Sequence, residues 1–420
     1  MTLHPILAAL RRHKAGVTLI TLQIALTLAI VCNAVFIIGQ RLERIQRPSG
    51  LDENNLFLIT QTWVGAPTGD DAASIDKLDA MQRSDLATLR NVPDVESAAP
   101  INSLPLLNSS WTGGVGLKPN QQHGTEHAAY YFGDDQMLKT LGVRLVAGRN
   151  FTSGEIDHRG FRSVGEPAIV IVTQALGDKL FPNGSALGKT VYLDGGATPS
   201  TIIGVVARMQ IPAAGGWGNS FAWNSVLQPV RQDVGYTRTA VRARPGRLDA
   251  AMREARKALF EANPMRVMEN QPDIGIGIFP FSEIRARAYR ADVGMAILMG
   301  VICVILLAVT GAGIVGLTSF WVGQRHKQIG IRRALGATRR DILRYFQTEN
   351  LMIAGAGVVL GAILAVGLNL WMMQQFAMNR MSLVYVLTGV IALLVLGQLA
   401  VLAPALRAAA VPPVEATRSV

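Results

Sequence analysis

The sequence has few cysteines and few charged residues for its length. Its 420 residues include two cysteines, and 16% of them are Asp, Glu, Lys or Arg, compared with about 25% in an average soluble domain. Cys32 and Cys303 both lie in long apolar runs, where cysteine behaves as a small hydrophobic residue. The sequence therefore excludes a disulfide framework and a cysteine-based metal site, and its low charge points to a membrane protein.

Four long runs contain no charged residue. A helix needs about 20 mostly apolar residues to cross about 30 Å of hydrocarbon, and residues 17–38, 293–322, 351–373 and 383–406 meet that length. We therefore predict an α-helical membrane protein with four transmembrane helices. Because no small-x-small cleavage site follows residue 38, the first run is predicted to be an uncleaved anchor, with a cleaved signal peptide as the alternative. The missing charges also argue against an ion path through the bilayer.

Basic residues indicate the orientation of these helices. Residues 1–16, the loop at 324–350 and the tail after residue 406 contain twelve Lys or Arg and three Asp or Glu, whereas the rest of the chain contains 28 and 26. Cytoplasmic segments of membrane proteins carry the excess of Lys and Arg. Both termini and this loop are therefore predicted to be cytoplasmic, with residues 1–40 forming the N-terminus and first span. The net charge of +11 then reflects topology, and we expect no nucleic-acid partner.

The segment 41–290 has the composition of a soluble α+β domain on the opposite side of the membrane. The spacing of its apolar residues indicates two outer parts and, at about residues 100–230, a glycine-rich insertion built of strands. The outer parts contain predicted strands at 56–62, near 95 and at 266–269, and predicted helices at 76–90 and 248–262. The insertion contains predicted strands at 168–172, 190–193 and 201–206.

A cluster of aromatic residues follows a loop in this insertion. Gly215 and Gly216 make the loop flexible, and Trp217, Phe221 and Trp223 come directly after them. Aromatic side chains at such a place could contact a hydrophobic ligand or a partner. Burial inside the domain is the alternative explanation.

Two motifs suggest chemistry that their surroundings do not support. The segment Gly184–Thr190 resembles a phosphate-binding loop, but Asn183 replaces the required first glycine and a predicted strand follows where the motif needs a helix. His123, Glu126 and His127 match a zinc-peptidase pattern, but they lie among residues that disfavour a helix and no third ligand is evident. We therefore predict no catalytic residue, no cofactor and no metal site.

The cytoplasmic loop has the pattern of two helices joined by a turn. Residues 323–337 read GQRHKQIGIRRALGA, in which Gly336 is placed to end one helix and Thr338 to begin another. Such a basic helix could merely touch anionic membrane lipid, but its short apolar ridge fits a groove on a partner protein better. The residues predicted to form this docking site are Arg325, Lys327, Gln328, Ile329, Gly330, Arg332, Arg333, Leu335, Gly336 and Ala337.

Residues 329–337 resemble the signature of the MacB/FtsX-like family of ABC transporter permeases, in which the pattern runs E-I-G-I-R-R-A-L-G-A. Gln328 stands where the family usually has Glu. Residues 141–151, 180–189 and 203–206 are similar to the periplasmic core domain of that family, and residues 404–416 to its C-terminal ending. The resemblance thus extends through most of the chain.

The resemblance implies a fold and a mechanism. It implies that residues 41–290 form a periplasmic core domain with a porter-like part and an inserted sabre-like part, and that residues 291–420 form an FtsX-like domain. Permeases of this family pair on two cytoplasmic ATPase subunits. Nucleotide-driven closure then passes through the cytoplasmic loop to the periplasmic domains, a process called mechanotransmission.

By this resemblance the chain is expected to be a non-catalytic permease subunit in a bacterial inner membrane. It would export or extract a hydrophobic or amphipathic substrate, paired with itself or with a related permease. A periplasmic adaptor and an outer-membrane exit duct are further expected partners. Two alternatives stay open: a membrane-anchored regulator of a periplasmic enzyme, driven by the same motion, and a membrane-tethered zinc peptidase that uses the histidine pair.

Overall fold

The computed structural model describes residues 14–109, 111–160, 166–271, 275–376 and 380–410. Contacts between residues divide the chain into two compact units. The helical unit contains the residues up to 46 and from 291 onward, and the sheet unit contains residues 47–290. The basic residues before residue 14 and the tail after residue 410 lie outside the described residues.

Among the described residues, long helices lie near both ends of the chain, and strands and shorter helices lie between them. In chain order, the helices are α1 (Lys14–Ile45), α2 (Ala72–Arg90), α3 (Met137–Leu141), α4 (Gln174–Leu180), α5 (Leu248–Ala262), α6 (Phe281–Ala288), α7 (Arg290–Gln324), α8 (His326–Ala334), α9 (Arg339–Phe376) and α10 (Leu383–Ala409). The strands are β1 (Leu56–Trp63), β2 (Val95–Pro100), β3 (Trp111–Gly116), β4 (Glu126–Phe132), β5 (Leu145–Gly148), β6 (Asp157–Arg159), β7 (Ile169–Thr173), β8 (Thr190–Leu193), β9 (Ser200–Val206), β10 (Ser225–Gln228), β11 (Val230–Gln232), β12 (Tyr236–Ala243), β13 (Arg266–Val267) and β14 (Gly277–Pro280).

The helical unit is built on four helices that, within the described ranges, are long and apolar enough to cross a membrane. They are α1, α7, α9 and α10, and each contains one of the predicted apolar runs. The third differs from its prediction at one end: α9 begins at Arg339, well before residue 351. Its first turns therefore belong to the segment predicted as a cytoplasmic loop, which α8 and α9 make largely helical.

Glycine sets the distance between α1 and α9. A Cβ added at Gly357 would lie 2.9 Å from atoms of α1, and one added at Gly361 would lie 2.8 Å from the carbonyl oxygen of Ala25. Two glycines spaced four residues apart therefore let the two helices approach closely, as small residues do in membrane proteins. Helix α1 is also joined to α7, because the hydroxyl groups of Thr27 and Thr310 are 2.8 Å apart.

The first sheet of the sheet unit is antiparallel. Its strand order is β13-β1-β12-β2, and β14 also pairs with β1. Helices α2 and α5 cover one face, where Leu89, Ala255 and Leu259 pack with Phe57 and Val241 in one buried cluster. This layer contains the strands and helices predicted for the two outer parts of the segment.

Most bounds in this layer agree with the sequence predictions. Helix α5 has the predicted ends, and β1 and β2 lie where strands were expected. Helix α2 begins at Ala72, earlier than predicted, because Asp71 caps it and its carboxylate accepts the N–H of Ser74 at 3.0 Å. The strand predicted at 266–269 is shorter and consists of β13 alone.

The second sheet is formed by the inserted part of the chain. Among the described residues its strand order is β5-β9-β7-β10-β4-β3-β8, and β8 also pairs with β9, which closes the sheet on itself. The pairs β7–β9 and β10–β4 are parallel, and the other pairs are antiparallel. Its interior contains buried apolar side chains such as Val115, Val172 and Ile202. The three strands predicted in the insertion are confirmed as β7, β8 and β9.

A buried ion pair fixes α2 to the first sheet. The guanidinium of Arg266 donates to both carboxylate oxygens of Asp85, at 2.9 and 3.0 Å, and the Arg266 side chain is fully buried. The side chains of Gln61 and Trp63 donate to the same carboxylate at 2.5 and 3.2 Å. Each charge therefore depends on the other, because an unpaired charge in this environment is costly.

We expect that Asp85→Ala lowers the free energy of unfolding of the sheet unit by about 3–5 kcal/mol, because it leaves the buried Arg266 without a counter-charge. Chemical denaturation followed by tryptophan fluorescence measures this. Asp76→Ala is the matched control: Asp76 is exposed on the same helix and its loss should change the same quantity by about 0.5 kcal/mol or less. Equal effects of the two substitutions would contradict the ion-pair account.

Candidate functional site

The segment between α7 and α9 forms a short helix with a defined end. Helix α8 ends in a glycine turn in which the N–H of Ala337 donates to the carbonyl of Arg332 at 3.0 Å and the N–H of Gly336 to that of Arg333 at 3.1 Å. Gly336 has φ of +97°, a conformation that favours glycine. This is the Schellman arrangement, so the predicted role of Gly336 as a helix cap is confirmed.

The next helix begins with a reciprocal cap. The N–H of Asp341 donates to the Thr338 hydroxyl at 3.3 Å, and the N–H of Thr338 donates to the Asp341 carboxylate at 2.9 Å. The two caps leave a turn of only a few residues between α8 and α9. The direction of α8 relative to α9 is therefore set by local chemistry rather than by a long loop.

One face of α8 is attached to the long helices. Ile329 is 5% exposed and belongs to the buried cluster that contains Ile342, Phe346 and Ala405. Just before α8, Arg325 donates to both oxygens of Glu349 at 3.0 Å, and Glu349 is buried. The guanidinium of Arg333 donates to the carbonyl of Ala409, near the end of α10, at 2.9 Å. Apolar packing, an ion pair and a backbone contact together fasten α8 to α9 and α10.

The opposite face of α8 is open. Leu335 is 83% exposed and Ile331 is 48% exposed, and the two are four residues apart on one side of the helix. Of the ten residues predicted to dock, the exposed ones are Lys327, Gln328, Arg332, Leu335 and Gly336, the partly buried ones are Arg325, Arg333 and Ala337, and the buried ones are Ile329 and Gly330. The exposed apolar ridge therefore consists of Ile331 and Leu335, and Ile329 lies on the attached face.

Three residues that shape this segment were not among the predicted site residues. Ile331 forms the ridge with Leu335, Glu349 holds Arg325, and the ring of Tyr345 lies 5.1 Å below the guanidinium of Arg332. The spacing of Ile331 from Leu335 was visible in the sequence. Glu349 also had a signal, since an acidic residue beside an apolar run is costly unless it has a partner.

The aromatic residues of the sheet unit are not equally available. Trp217 is 59% exposed, whereas Phe221 is buried between Trp217 and His127, with ring centroids 5.3 and 4.6 Å away. Trp223 is partly buried and the guanidinium of Arg208 lies 4.7 Å above its ring. Of the three predicted contact residues, Trp217 presents the most open surface.

The segments that resemble a zinc-peptidase pattern and a phosphate-binding loop have the local structure that the sequence predicts. Glu126 and His127 begin strand β4 rather than a helix, and the Glu126 carboxylate accepts a hydrogen bond from Asn224 at 3.1 Å. Gly188 has φ of +76° in the turn before β8, so the phosphate-loop-like segment leads into a strand. Neither segment has the helix that its motif requires.

A group of ionisable side chains elsewhere in the sheet unit has metal-ligand chemistry. Asp79, His158 and Asp233 each place a ligand atom within 4.8 Å of the others. Both oxygens of Asp79 already accept guanidinium groups, one from Arg83 at 2.8 Å and one from Arg231. These contacts describe an ion-pair network, because two cations occupy the carboxylate that a metal ion would need.

The pKa of Asp233 is raised in this network. The pKa of Asp233 is raised from 3.8 to about 7, chiefly by burial and then by the charge of Asp79, while Arg231 and His158 lower it. A carboxyl group whose pKa is higher in the folded state takes up a proton on folding between the two values. Its contribution therefore makes the protein less stable as the pH rises from about 4 to about 7, and is constant above that.

We expect Asp233→Asn to flatten this pH dependence, because an amide at that position does not titrate. The measurement is the midpoint of denaturation of the sheet unit at several pH values between 4 and 8. Asp249→Asn, at an exposed position in the first turn of α5, is the control and should keep the wild-type profile. A profile of Asp233→Asn that matches the wild type would show that this carboxyl is not responsible.

We also expect Glu349→Ala to destabilise the helical unit by about 3–5 kcal/mol, because it leaves Arg325 without its partner. Thermal unfolding of the purified chain in detergent measures the loss. Limited digestion with trypsin should become faster within α8, where Lys327 and Arg332 are exposed. Glu43→Ala, an exposed position on α1, is the control, and digestion of α8 at the same rate in both variants would argue against anchoring by Glu349.

Two known protein families match residues of both units. Residues 17–258 match the MacB-like periplasmic core domain, and residues 300–413 match the FtsX-like permease C-terminal domain. The Macrolide export ATP-binding/permease protein MacB 1/2 of Paracoccus denitrificans is 27% identical over 90% of this chain and 51% of its own length. The Uncharacterized ABC transporter permease YvrN of Bacillus subtilis is 24% identical over 68% of each chain.

A crystal structure of the periplasmic region of MacB from Actinobacillus actinomycetemcomitans aligns with 58% of this chain and 97% of its own, at 16% identity and a TM-score of 0.31. The chain spans about half the length of the Paracoccus relative. The two domain matches together extend over most of the chain, in the order core domain and then permease domain. The chain belongs to the MacB/FtsX-like family of ABC transporter permeases.

Proposed function

We propose that this chain is the permease subunit of an ABC transporter and transmits ATP-driven motion from a separate cytoplasmic ATPase to its periplasmic domain. The observation that carries the proposal is the exposed side chain of Leu335, at the end of a helix whose other face is fastened to α9 and α10. An apolar ridge on a fixed helix is suited to bind a groove in a partner and to pass on its movement.

The basic residues support a cytoplasmic position for this ridge. Arg325, Lys327, Arg332 and Arg333 lie on or beside α8, and Lys and Arg gather on the cytoplasmic side of membrane proteins. The termini would then be cytoplasmic too, and residues 41–290 periplasmic, with the first sheet as the porter-like part and the second sheet as the sabre-like part. Gln328, exposed on α8, stands where the family usually has Glu and removes one negative charge from this surface.

The helices that continue into the sheet unit offer a route for the motion. Helix α1 ends at Ile45 and α7 begins at Arg290, so both are continuous in sequence with that unit. Helix α1 contacts α9 at Gly357 and Gly361, and α9 in turn contacts α8. Transmission through packed helices requires no polar path in the bilayer, in agreement with the charge-free runs.

The substrate and the remaining partners follow from family membership. We propose export or extraction of a hydrophobic or amphipathic substrate, because the related MacB proteins are named as macrolide exporters. The permease would pair with a second copy or with a related permease, in contact with membrane lipid, and an adaptor and an outer-membrane duct would complete an export path.

A second candidate is a regulator that uses the same motion to control a periplasmic enzyme. This candidate is favoured by the charge-free runs, because a chain that transmits motion without conducting ions needs no charged residues in its membrane spans. Substrate-stimulated ATP turnover by the reconstituted complex would support the transporter. A stable complex with a periplasmic hydrolase, without such stimulation, would support the regulator.

We expect Leu335→Asp to reduce capture of the ATPase about tenfold or more, because a charge replaces the most exposed apolar side chain of the ridge. The measurement is a pull-down after co-expression with the ATPase encoded nearest to this chain. Because Leu335 packs against little, the variant should insert in the membrane at the wild-type level.

Gln324→Asp is the matched control, since it adds the same charge at an exposed position just before α8. Capture by this control at the wild-type level and loss with Leu335→Asp would support the docking ridge. If the wild type captures no ATPase, the transporter proposal has no source of ATP-driven motion, and the regulator becomes the better explanation.

A further inference from the structure

The described residues of the sheet unit surround a cleft that none of their side chains fills. Its volume is about 890 Å³, within the range of about 300–1,000 Å³ that is typical of small-molecule sites. Its walls come from both sheets: β1, β2 and β12 contribute from the first, and β3 and β4 from the second. Helix α2, strand β11, the loop after β1 and the chain segments next to β2 and β12 complete the lining.

Aromatic side chains make much of this lining. Trp111 and Phe132 lie on neighbouring strands with their ring centroids 6.0 Å apart, and both are partly buried. Tyr236 is partly buried on the side of the first sheet, and the buried Trp63, whose indole N–H donates to Asp85, is also part of the lining. Rings on two sides of a cleft suit a ligand with a flat apolar body.

The cations of the lining are already bonded within the protein. Arg238 donates to the carbonyl of Asn102 at 2.5 Å and to the hydroxyls of Ser109 and Tyr236 at 3.2 Å each, and its guanidinium lies over the Tyr236 ring. Arg231 is paired with Asp79. Both guanidinium groups are therefore held within the protein, and the Nε atom of each, which is buried, has no hydrogen bond among the described residues.

One buried side chain in the lining has unused hydrogen-bonding capacity. Gln82, on α2, is 5% exposed, and its side-chain oxygen has no hydrogen-bond partner among the residues that the structure describes. Arg231 Nε and Asp233 Oδ1 are also without hydrogen bonds in the described part, but they lie 3.8 Å from each other as an ion pair. The oxygen itself has almost no surface open to solvent, so a donor on a ligand can bond to it only after the Gln82 amide turns toward the cleft.

We propose that this cleft is a binding site for an uncharged amphipathic small molecule that has a flat apolar body and a hydrogen-bond donor. The rings of Trp111, Phe132 and Tyr236 contact the apolar body, and the amide of Gln82 turns toward the cleft and accepts the hydrogen bond from the donor. Because the ligand touches both sheets, its presence favours the arrangement in which the cleft has this width. The consequence for transport rests on the proposed function, whereas binding itself does not.

N-phenyl-1-naphthylamine is a suitable probe, because it is flat, uncharged and has one N–H donor. Its fluorescence is titrated against the full chain in lipid nanodiscs, with the signal of empty nanodiscs subtracted. Phe132→Ala should weaken binding about tenfold, and Gln82→Leu about fivefold, since the leucine keeps the volume and removes the acceptor. The N-methylated probe lacks the donor and should bind wild type and Gln82→Leu equally.

Phe260→Ala is the matched control, because Phe260 is a partly buried phenylalanine on α5 that does not line the cleft. Its affinity for the probe should equal that of the wild type. Unfolding midpoints identify any variant that has lost its fold, and Gln82→Leu with the two probes tests the site even if Phe132→Ala unfolds. No saturable binding by the wild type, or equal binding by all variants, would overturn the proposal.

The two proposals fail in different ways. ATPase capture through Leu335 does not involve the cleft, so loss of probe binding with normal capture refutes the cleft and leaves the permease proposal intact. Probe binding by a chain that captures no ATPase refutes the permease proposal and leaves the cleft proposal intact. In that case the cleft is a ligand site of a protein that this ATPase does not drive.

Discussion

The attachment of α8 to the ends of α9 and α10 is the constraint on which the proposed docking ridge depends. An exposed leucine on a loose loop could bind a partner but could not transmit its movement, because the loop would absorb the displacement. Ile329 and the Arg325–Glu349 pair remove that freedom. Loss of one partner of this ion pair is costly for a specific reason: Glu349 is buried next to an apolar run, where an unpaired carboxylate is unfavourable.

Helix α9 is in turn packed against α1. A displacement of α9 reaches α1 only if the two helices cannot slide past each other easily. A Cβ at Gly357 or Gly361 would lie only 2.8 to 2.9 Å from atoms of α1, so the lack of a side chain at these two positions lets the helices pack closely. Helix α1 is then bonded to α7 through Thr27 and Thr310. A contiguous set of packed helices therefore joins α8 to the two helices that continue into the sheet unit.

The sequence was informative where local chemistry decides the structure. The charge-free runs identified the long helices, the spacing of apolar residues at 248–262 predicted α5 with both its ends, and Gly336 marked the end of α8. The start of α2 was misplaced because its cap, Asp71, precedes the apolar spacing that was used to find the helix. Ile329 was placed on the docking ridge although it is buried, since a helix of nine residues does not reveal from its own pattern which face will find a partner.

The cleft could not be predicted from sequence patterns, for a different reason. Thr62, Gln82, Phe132 and Tyr236 are far apart in the chain, and no spacing rule joins them. Their meeting follows from topology: the chain leaves the first sheet after β2 and returns to it as β12, and these two strands are neighbours.

Both connections to the second sheet therefore emerge side by side, and both line the cleft, at Pro100 and Ile101 on the way out and at Asp233 to Gly235 on the way back. Away from the cleft, Arg90 pairs with Asp134 at 2.8 Å and Arg242 donates to the carbonyl of Thr140 at 2.8 Å, so the inserted part is also held to the first layer there. A ligand in the cleft would contact both chain connections, and its binding would therefore be coupled to any relative movement of the two sheets that changes the cleft.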